Sequence, residues 1–182
     1  MGTVRRVVTG EVDGEAIFAK VEEVQPVPGT GIYGAWGWDQ VPQLPVLPTG
    51  EYRHQSIFPP LGGVRVNVID FPPGAGDETG PKPGANPDWD VVLTAVPVHR
   101  ERGADTRFVA TDSIDIIFVL EGAVTVELDG GRAKVLHPGD VLVQNGTRHH
   151  WANRTDRHCL LGCVVFTTTQ RVGDASDQKE ES

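Results

Sequence analysis

Short runs of Val, Ile and Leu, separated by turn residues, fill the segment 114–144. Within one run, Val124, Val126 and Leu128 alternate with polar residues, which predicts a strand with one buried and one solvent-facing side. The sequence "DGG" at 129–131 is typical of a hairpin, because glycine supplies the positive φ that tight turns require. The pattern predicts successive antiparallel strands in a meander or sandwich, not a helical bundle.

Strand signals continue towards the N-terminus. The runs "RRVVTG" and "AIFAKVEEV" flank "EVDGE", which predicts a hairpin, and "GIYGAWGW" and "GVRVNVIDF" predict two more strands. Prolines and glycines are dense over 39–63 and 72–87, so we expect loops there that cover one end of the β structure or contact a second subunit. The run "NPDWDVVLTAV" predicts a short helix capped by Asn86 or Asp88.

Composition agrees with one turn-rich β domain. The chain has 182 residues, 38% of them hydrophobic, with 22 glycines and 14 prolines, which suits a single buried core. The net charge of −9 has no clustered basic stripe, so nucleic acid and anionic membranes are excluded as partners. No apolar stretch approaches the roughly 20 residues of a spanning helix. Since "MGTVRRVVTG" also lacks a signal-peptide core, we expect a cytoplasmic protein with a disordered acidic tail at 173–182.

The two cysteines are predicted to be reduced core residues. Cys159 and Cys163 lie four apart in a predicted strand. Four strand residues span about 13 Å, which is too far for a disulfide. Free cysteine is among the most buried residue types.

Two glycine-bounded segments carry the candidate chemistry. In the first, Val109, Thr111 and Asp115 lie between Gly103 and Gly122 with the spacing G-x5-V-x-T-x3-D-x6-G. This spacing resembles the first motif of the cupin superfamily, G-x5-H-x-H-x3-E-x6-G. Val109 and Thr111 therefore occupy the two histidine positions and Asp115 the glutamate position, so only the carboxylate of this ligand set is retained.

The second segment resembles the second cupin motif, G-x5-P-x-G-x2-H-x3-N. Gly139 begins it, Gln144 occupies the proline position one residue early, and Gly146, His149 and Asn153 are correctly spaced. One histidine is therefore retained. We expect Asn153 to be structural, because an asparagine at a strand end commonly fixes a turn.

Together, "VATDSID" and "GDVLVQNGTRHHWAN" are similar to small single-domain cupins of the secondary-metabolism or uncharacterised type, with a degenerate metal motif. The resemblance implies an all-β double-stranded β-helix, a jelly-roll-like barrel with extra N-terminal strands. It implies one domain over 1–172, with N-terminal strands and loops at 1–102 and the cupin core at 103–166. It also implies a homodimer through the N-terminal strands.

The retained groups argue against a resident metal. A transition-metal site normally takes three or more ligands, and the motif positions offer Asp115 and His149, with the Thr111 hydroxyl a poor third. His150 is expected to point away from His149 because side chains alternate along a strand. We therefore predict no cofactor. If a divalent metal binds, Asp115 and His149 are its ligands, and His54 or His99 could supply the missing nitrogen.

Without a metal, a carboxylate beside an imidazole can perform acid/base chemistry. If Asp115 and His149 lie within hydrogen-bonding reach, the carboxylate orients the ring and leaves the other nitrogen as a general base. The metal-free sugar epimerases of the cupin superfamily are similar. The prediction is an isomerase, epimerase, dehydratase or cyclase acting on a small carbonyl or polyketide-like metabolite, with Asp115 and His149 catalytic.

Other side chains are candidates for binding the small-molecule ligand. Thr111, Gln144 and Trp151 are predicted to line the cavity, and Arg107 is a candidate anchor for an anionic group, as is Arg65.

Two alternatives stay open. One is a metal-dependent dioxygenase with a non-standard ligand set. The other is a non-catalytic ligand-binding or assembly protein, in which the candidate acid and base only satisfy local hydrogen bonds. The aromatic residues Tyr33, Trp36 and Trp38 could form a pocket wall or a dimer contact.

Overall fold

The computed structural model describes residues 3–43, 56–77, 98–99 and 107–168. Within these ranges the chain forms twelve strands and one short 3-10 turn, with no α-helix. No described helix could cross a membrane. The strands are β1 (Arg5–Val12), β2 (Glu15–Glu23), β3 (Ile32–Trp38), β4 (Val64–Phe71), β5 (Val98–His99), β6 (Ala110–Thr111), β7 (Ser113–Glu121), β8 (Val124–Leu128), β9 (Arg132–Leu136), β10 (Val141–Gln144), β11 (His149–Ala152) and β12 (Cys159–Thr167).

The predicted N-terminal hairpin is confirmed. Strands β1 and β2 pair antiparallel, with Arg5 opposite Glu23 at the open end and Val12 opposite Glu15 at the turn. Asp13 and Gly14 make the turn with φ of 52° and 81°. Two positive φ values are what a tight two-residue hairpin turn requires, and Asp-Gly is among the sequences that adopt them.

A five-stranded antiparallel sheet forms one side of the core, in the order β10-β7-β12-β4-β3. Its last two strands are the predicted runs "GIYGAWGW" and "GVRVNVIDF", which are therefore confirmed. The motif glycine Gly122 ends β7 with φ of 72°, and a Cβ there would lie 2.3 Å from the carbonyl oxygen of His158. Only glycine fits such a close backbone approach.

A three-stranded sheet, β11-β8-β9, faces the five-stranded sheet across the core. The predicted "DGG" turn joins β8 to β9 as a 3-10 turn, Asp129–Gly131, in which Gly130 has φ of 70°. Strands β5 and β6 form a separate pair, and a bridge between Val109 and His149 connects the segment before β6 to β11.

Apolar side chains from both sheets fill the space between them. Neither cysteine forms a disulfide, and both are buried on the inner side of β12, as the sequence predicted. Asn153 has the predicted structural role, since its amide donates to the carbonyls of Phe71 (2.8 Å) and Arg157 (2.7 Å). The buried core comprises Phe58, Phe71, Ala75, Ile117, Val119, Val124, Cys159, Leu161, Cys163 and Val165.

Several predictions concern residues outside the described ranges. They are the helix over 86–96, His54 and the acidic tail at 173–182. For His99 the structure describes the strand but not the side chain.

Candidate functional site

A polar row crosses the inner face of the five-stranded sheet. Register places Gln144 opposite Asp115, Asp115 opposite Val165, and Val165 opposite Arg65. All four side chains are buried. Polar groups on the inner face of an otherwise apolar sheet are costly unless they are hydrogen-bonded or used, so this row is the candidate site.

Asp115 lies on β7, where alternate residues from Ser113 to Val119 face inward. Its side chain is 9% exposed, and among the described residues its Oδ1 has no hydrogen-bond partner. Burial raises the pKa of the Asp115 carboxyl to about 6, and a hydrogen bond from Ser113 partly offsets this rise. A carboxyl group that titrates near neutrality, with one oxygen unused, is suited to exchange a proton with a ligand.

His149 lies on β11 with its ring against the polar row. Its Nδ1 is 2.8 Å from the carbonyl oxygen of Thr147 and 2.7 Å from Gln144 Nε2. A carbonyl can only accept, so a hydrogen bond to Thr147 requires the ring proton on Nδ1, and the Gln144 amide nitrogen, itself a donor, then contacts Nδ1 without a hydrogen bond to it. Gln144 Nε2 can then donate to the Thr147 carbonyl (2.6 Å) and hydroxyl (3.0 Å). In this tautomer Nε2 of His149 carries the lone pair of a base.

Burial lowers the pKa of His149, an effect partly opposed by the Thr147 carbonyl and reinforced by His150. The ring is therefore neutral at physiological pH. A neutral imidazole is the form that can remove a proton.

Asp115 and His149 do not form the direct pair that the sequence analysis considered. In the described residues the hydrogen bond of His149 goes to the Thr147 carbonyl, whereas that of Asp115 goes to Ser113. Gln144 is opposite Asp115 in the sheet and its side chain contacts His149, so one residue neighbours both the acid and the base.

The structure places Thr111 and Trp151 at the site. Thr111 is buried, with its hydroxyl 2.9 Å from the Ser113 hydroxyl. Trp151 meets the His149 ring edge-on, with centroids 6.1 Å apart and an interplanar angle of 83°. The Thr111 hydroxyl thus contacts Ser113, which is hydrogen-bonded to Asp115, and the Trp151 ring packs against His149.

The two predicted arginine anchors are not directed at the acid and the base. Arg107 is exposed, outside the buried row. Arg65 is buried, but its guanidinium bonds Asp39 (2.5 Å) and the Trp38 carbonyl (3.0 Å) and packs over Gly37, where a Cβ would lie 2.7 Å from Arg65 Cδ. Arg65 therefore ties β4 to the end of β3.

His150 points away from His149, as alternation predicted. Its Nδ1 and Nε2 lie 3.2 and 2.9 Å from the carbonyl oxygens of Arg107 and Gly76. His149 and His150 therefore cannot chelate one metal ion together, because the His149 ring contacts Thr147 and the His150 ring contacts the carbonyls of Arg107 and Gly76.

The sequence analysis missed two residues at the site, Ser113 and Cys163. Both share the inner-facing parity of their strands, which is the signal that could have identified them. Burial raises the pKa of the Cys163 thiol, and the charge of Asp115 raises it further, so the thiol stays protonated beside the carboxyl.

The two-sheet fold with a buried acid and base on its inner face defines a β-sandwich protein with an internal candidate site. Residues 97–166 match the family model of the cupin domain. This segment is therefore a cupin domain, and the resemblance inferred from the motif spacing is confirmed.

Known relatives include fungal biosynthetic proteins. The phomopsin biosynthesis cluster protein C' of Diaporthe leptostromiformis is 39% identical over 88 residues, covering 48% of this chain and 44% of that protein. The cupin-domain-containing oxidoreductase fogC of Aspergillus ruber is 39% identical over 54 residues, covering 30% of this chain and 27% of that protein. The chain thus spans less than half the length of either relative.

Among solved structures, the cupin domain of a transcriptional regulator of the XRE family from Enterobacter cloacae is similar with a TM-score of 0.36. It is 15% identical, and the match covers 58% of this chain and 82% of that one.

The described residues do not fit the metal that the cupin family implies. Val109 supplies no donor atom, and Thr111 directs its hydroxyl to Ser113. In the part of the chain that the structure describes, no group of three or more His, Cys, Asp or Glu side chains could hold a metal ion. We therefore derive no reaction step through a metal.

Proposed function

We propose that this cupin domain binds a small carbonyl compound and performs metal-independent acid/base chemistry on it, as an isomerase, epimerase, dehydratase or cyclase. The observation that carries the proposal is the pair of buried ionisable groups that both neighbour Gln144. Burial moves the pKa values of Asp115 and His149 towards each other, up for the acid and down for the base. Buried groups with perturbed pKa values cluster at the functional sites of enzymes.

The proposed step moves one proton and leaves the substrate charge balanced. His149 Nε2 takes a proton from the carbon next to the substrate carbonyl, and the C–H electron pair forms the enol. In the fraction of molecules in which Asp115 is protonated, which grows as the pH falls towards about 6, the carboxyl donates a hydrogen bond, or its proton, to the carbonyl oxygen as negative charge develops there. Return of a proton to another position completes an isomerisation, and loss of a neighbouring hydroxyl as water completes a dehydration.

The other residues of the site bind and orient. The Thr147 carbonyl fixes the His149 tautomer, and Ser113 holds one oxygen of Asp115 so that the other remains available. Gln144, Thr111 and Trp151 are the proposed ligand-binding side chains. The relative named for phomopsin biosynthesis supports a secondary metabolite as the substrate class.

A test needs no natural substrate. The exchange of α-protons of small β-dicarbonyl compounds with D2O is followed by NMR for the unaltered protein, His149→Gln and Asp115→Asn. Each variant should lose about 10²- to 10⁴-fold in exchange rate, the usual contribution of a positioned acid or base. His137→Gln and Asp156→Asn, which alter exposed residues, are the matched controls and should retain the rate.

Equal rates in all five proteins would overturn the catalytic roles of Asp115 and His149. Near-stoichiometric iron, nickel, manganese or zinc by mass spectrometry, lost in an Asp115→Asn/His149→Gln double variant, would contradict the metal-independent proposal.

The name of the relative fogC favours a second candidate, a metal-dependent oxidoreductase such as a dioxygenase. Asp115 and His149 would then be ligands, with further donors from residues such as His54 or His99. Metal content distinguishes this candidate from the first.

A further inference from the structure

Two buried polar atoms of the inner row have no hydrogen-bond partner among the described residues. They are Oδ1 of Asp115 and Nε of Arg65. In that row only Val165 lies between the two residues. Burying a polar atom without a hydrogen bond is unfavourable, so each atom marks a position at which a ligand atom would be stabilising. A third such atom, Nε1 of Trp38, belongs to the neighbouring row, opposite Val64.

The guanidinium of Arg65 is only partly used by the protein. Its Nη1 donates to the carbonyls of Trp38 (3.0 Å) and Val64 (3.1 Å), and its Nη2 donates to Asp39 Oδ1 (2.5 Å). These bonds fix the end of the side chain, and the Asp39 carboxylate balances its charge. The Nε–H is a further donor of the same group. Because Arg65 is only 2% exposed, this donor has little access to water and needs an acceptor oxygen.

The spacing of the row sets the length of a ligand that contacts both atoms. Asp115 and Arg65 are two strands apart, which places their Cα atoms about 10 Å from each other. A hydrogen bond takes up about 2.9 Å at each end, so one molecule that reaches both needs two oxygens separated by roughly 4 Å or more. Between them the ligand would lie over the buried, apolar side chain of Val165. The row therefore fits a molecule with polar ends and an apolar middle.

We propose that the substrate class of this site is a hydroxyaryl ketone, with its carbonyl at Asp115 and its hydroxyl oxygen at the far end accepting the Arg65 Nε–H. The inference rests on the proposed function for the position of the reacting carbonyl, and it adds the second contact. The sequence analysis named Arg65 as an anchor for an anionic group. Since Asp39 already balances the guanidinium, the far oxygen need not be charged.

Two matched ketones test the far contact without any substitution in the protein. Para-hydroxyacetophenone and para-methylacetophenone differ only in that a methyl group of similar size replaces the hydroxyl. In calorimetric titrations of the unaltered protein, the hydroxy ketone should have a dissociation constant about 10- to 100-fold lower, the usual effect of a hydrogen bond to a charged donor. The methyl compound binds less tightly because it leaves the buried Nε–H unpaired.

Arg65→Lys tests the Nε atom itself. Lysine has a methylene group where arginine has Nε, and its ammonium keeps a positive charge beside Asp39. This variant should bind the two ketones with equal affinity. Asp39→Asn is the matched control, because it weakens the same ion pair but leaves the Nε–H in place, and it should keep the preference. Asp115→Ala should weaken the binding of both ketones by the same factor, since it acts at the carbonyl that they share.

NMR of the isotope-labelled, unaltered protein gives a second readout if Arg65→Lys does not fold. The Nε–H resonance of Arg65 should move downfield when the hydroxy ketone is added, and not when the methyl ketone is added.

The inference is overturned if neither ketone binds, if both bind the unaltered protein equally, if Arg65→Lys keeps the preference, or if Asp39→Asn loses it. The α-proton exchange assay separates this inference from the proposed function. A preference that depends on Arg65, without catalysed exchange, would support the substrate class and remove the catalytic proposal. Catalysed exchange without any preference would do the reverse.

Discussion

Each face of the five-stranded sheet departs in part from the usual arrangement of polar and apolar residues. On β7, Asp115 and Ser113 face the core while Ile114 and Phe118 face outward. A sheet with one solvated side normally alternates the other way, apolar inside and polar outside. The comparison shows where the sheet departs from that rule, at an inward polar row and an outward apolar patch, each of which carries a cost when it has no partner.

The largest difference is expected when one leucine from each face is shortened. Leu161 is 2% exposed on the inner face, and Leu120 is 51% exposed on the outer face. Leu161→Ala should lower the free energy of unfolding by about 2–5 kcal/mol, because it leaves a cavity. Leu120→Ala should change it by no more than about 0.5 kcal/mol in urea titrations of the monomer. Equal losses would mean that both faces are buried within one chain.

A smaller effect is expected on the inner face, where the buried Asp115 carboxyl makes the free energy of unfolding depend on pH. The folded-state pKa of Asp115 is raised to about 6 from 3.8, so the folded protein binds the proton more tightly. Stability from this group is therefore present at low pH and lost as the pH rises through about 6.

Asp115→Asn removes that dependence. The free energy of unfolding of the unaltered protein should fall relative to the variant by up to about 3 kcal/mol between pH 4 and 7, measured by denaturant titration. A rise over the same interval would contradict the burial of the carboxylate.

The smallest effect concerns Ser113. Its hydrogen bond lowers the pKa of Asp115 against the effect of burial. Ser113→Ala should therefore raise that pKa further, at a cost of about 1 kcal/mol for the lost bond. The Asp115 carboxyl resonance, followed by NMR through a pH titration, measures the shift. Thr168→Ala, which alters another hydroxyl residue, serves as a control and should leave the titration unchanged.

Most of the sheet could be predicted from the sequence, because strands and turns are local features. The Asp13-Gly14 turn encodes its own geometry. The alternation predicted for β8 located the strand but not its faces, because Thr125 is buried and Leu128 is exposed. Local pattern cannot say which side of β7 is inside, because Ile114, Ile116 and Ile117 place apolar residues on both faces.

The site was predicted less completely because its contacts depend on sheet register and on side-chain direction. The motif spacing identified Asp115 and His149, but the position of Gln144 beside both follows from the pairing of β10 with β7. Arg65 looked like a solvated or ligand-binding cation. It is buried because Asp39 and Gly37, distant in sequence, provide a charge partner and space.

One imidazole ring, that of His150, lies against the carbonyls of both Gly76 and Arg107. Two backbone positions far apart in sequence are therefore pinned to β11 by a single side chain, and a change at His150 would release both at once.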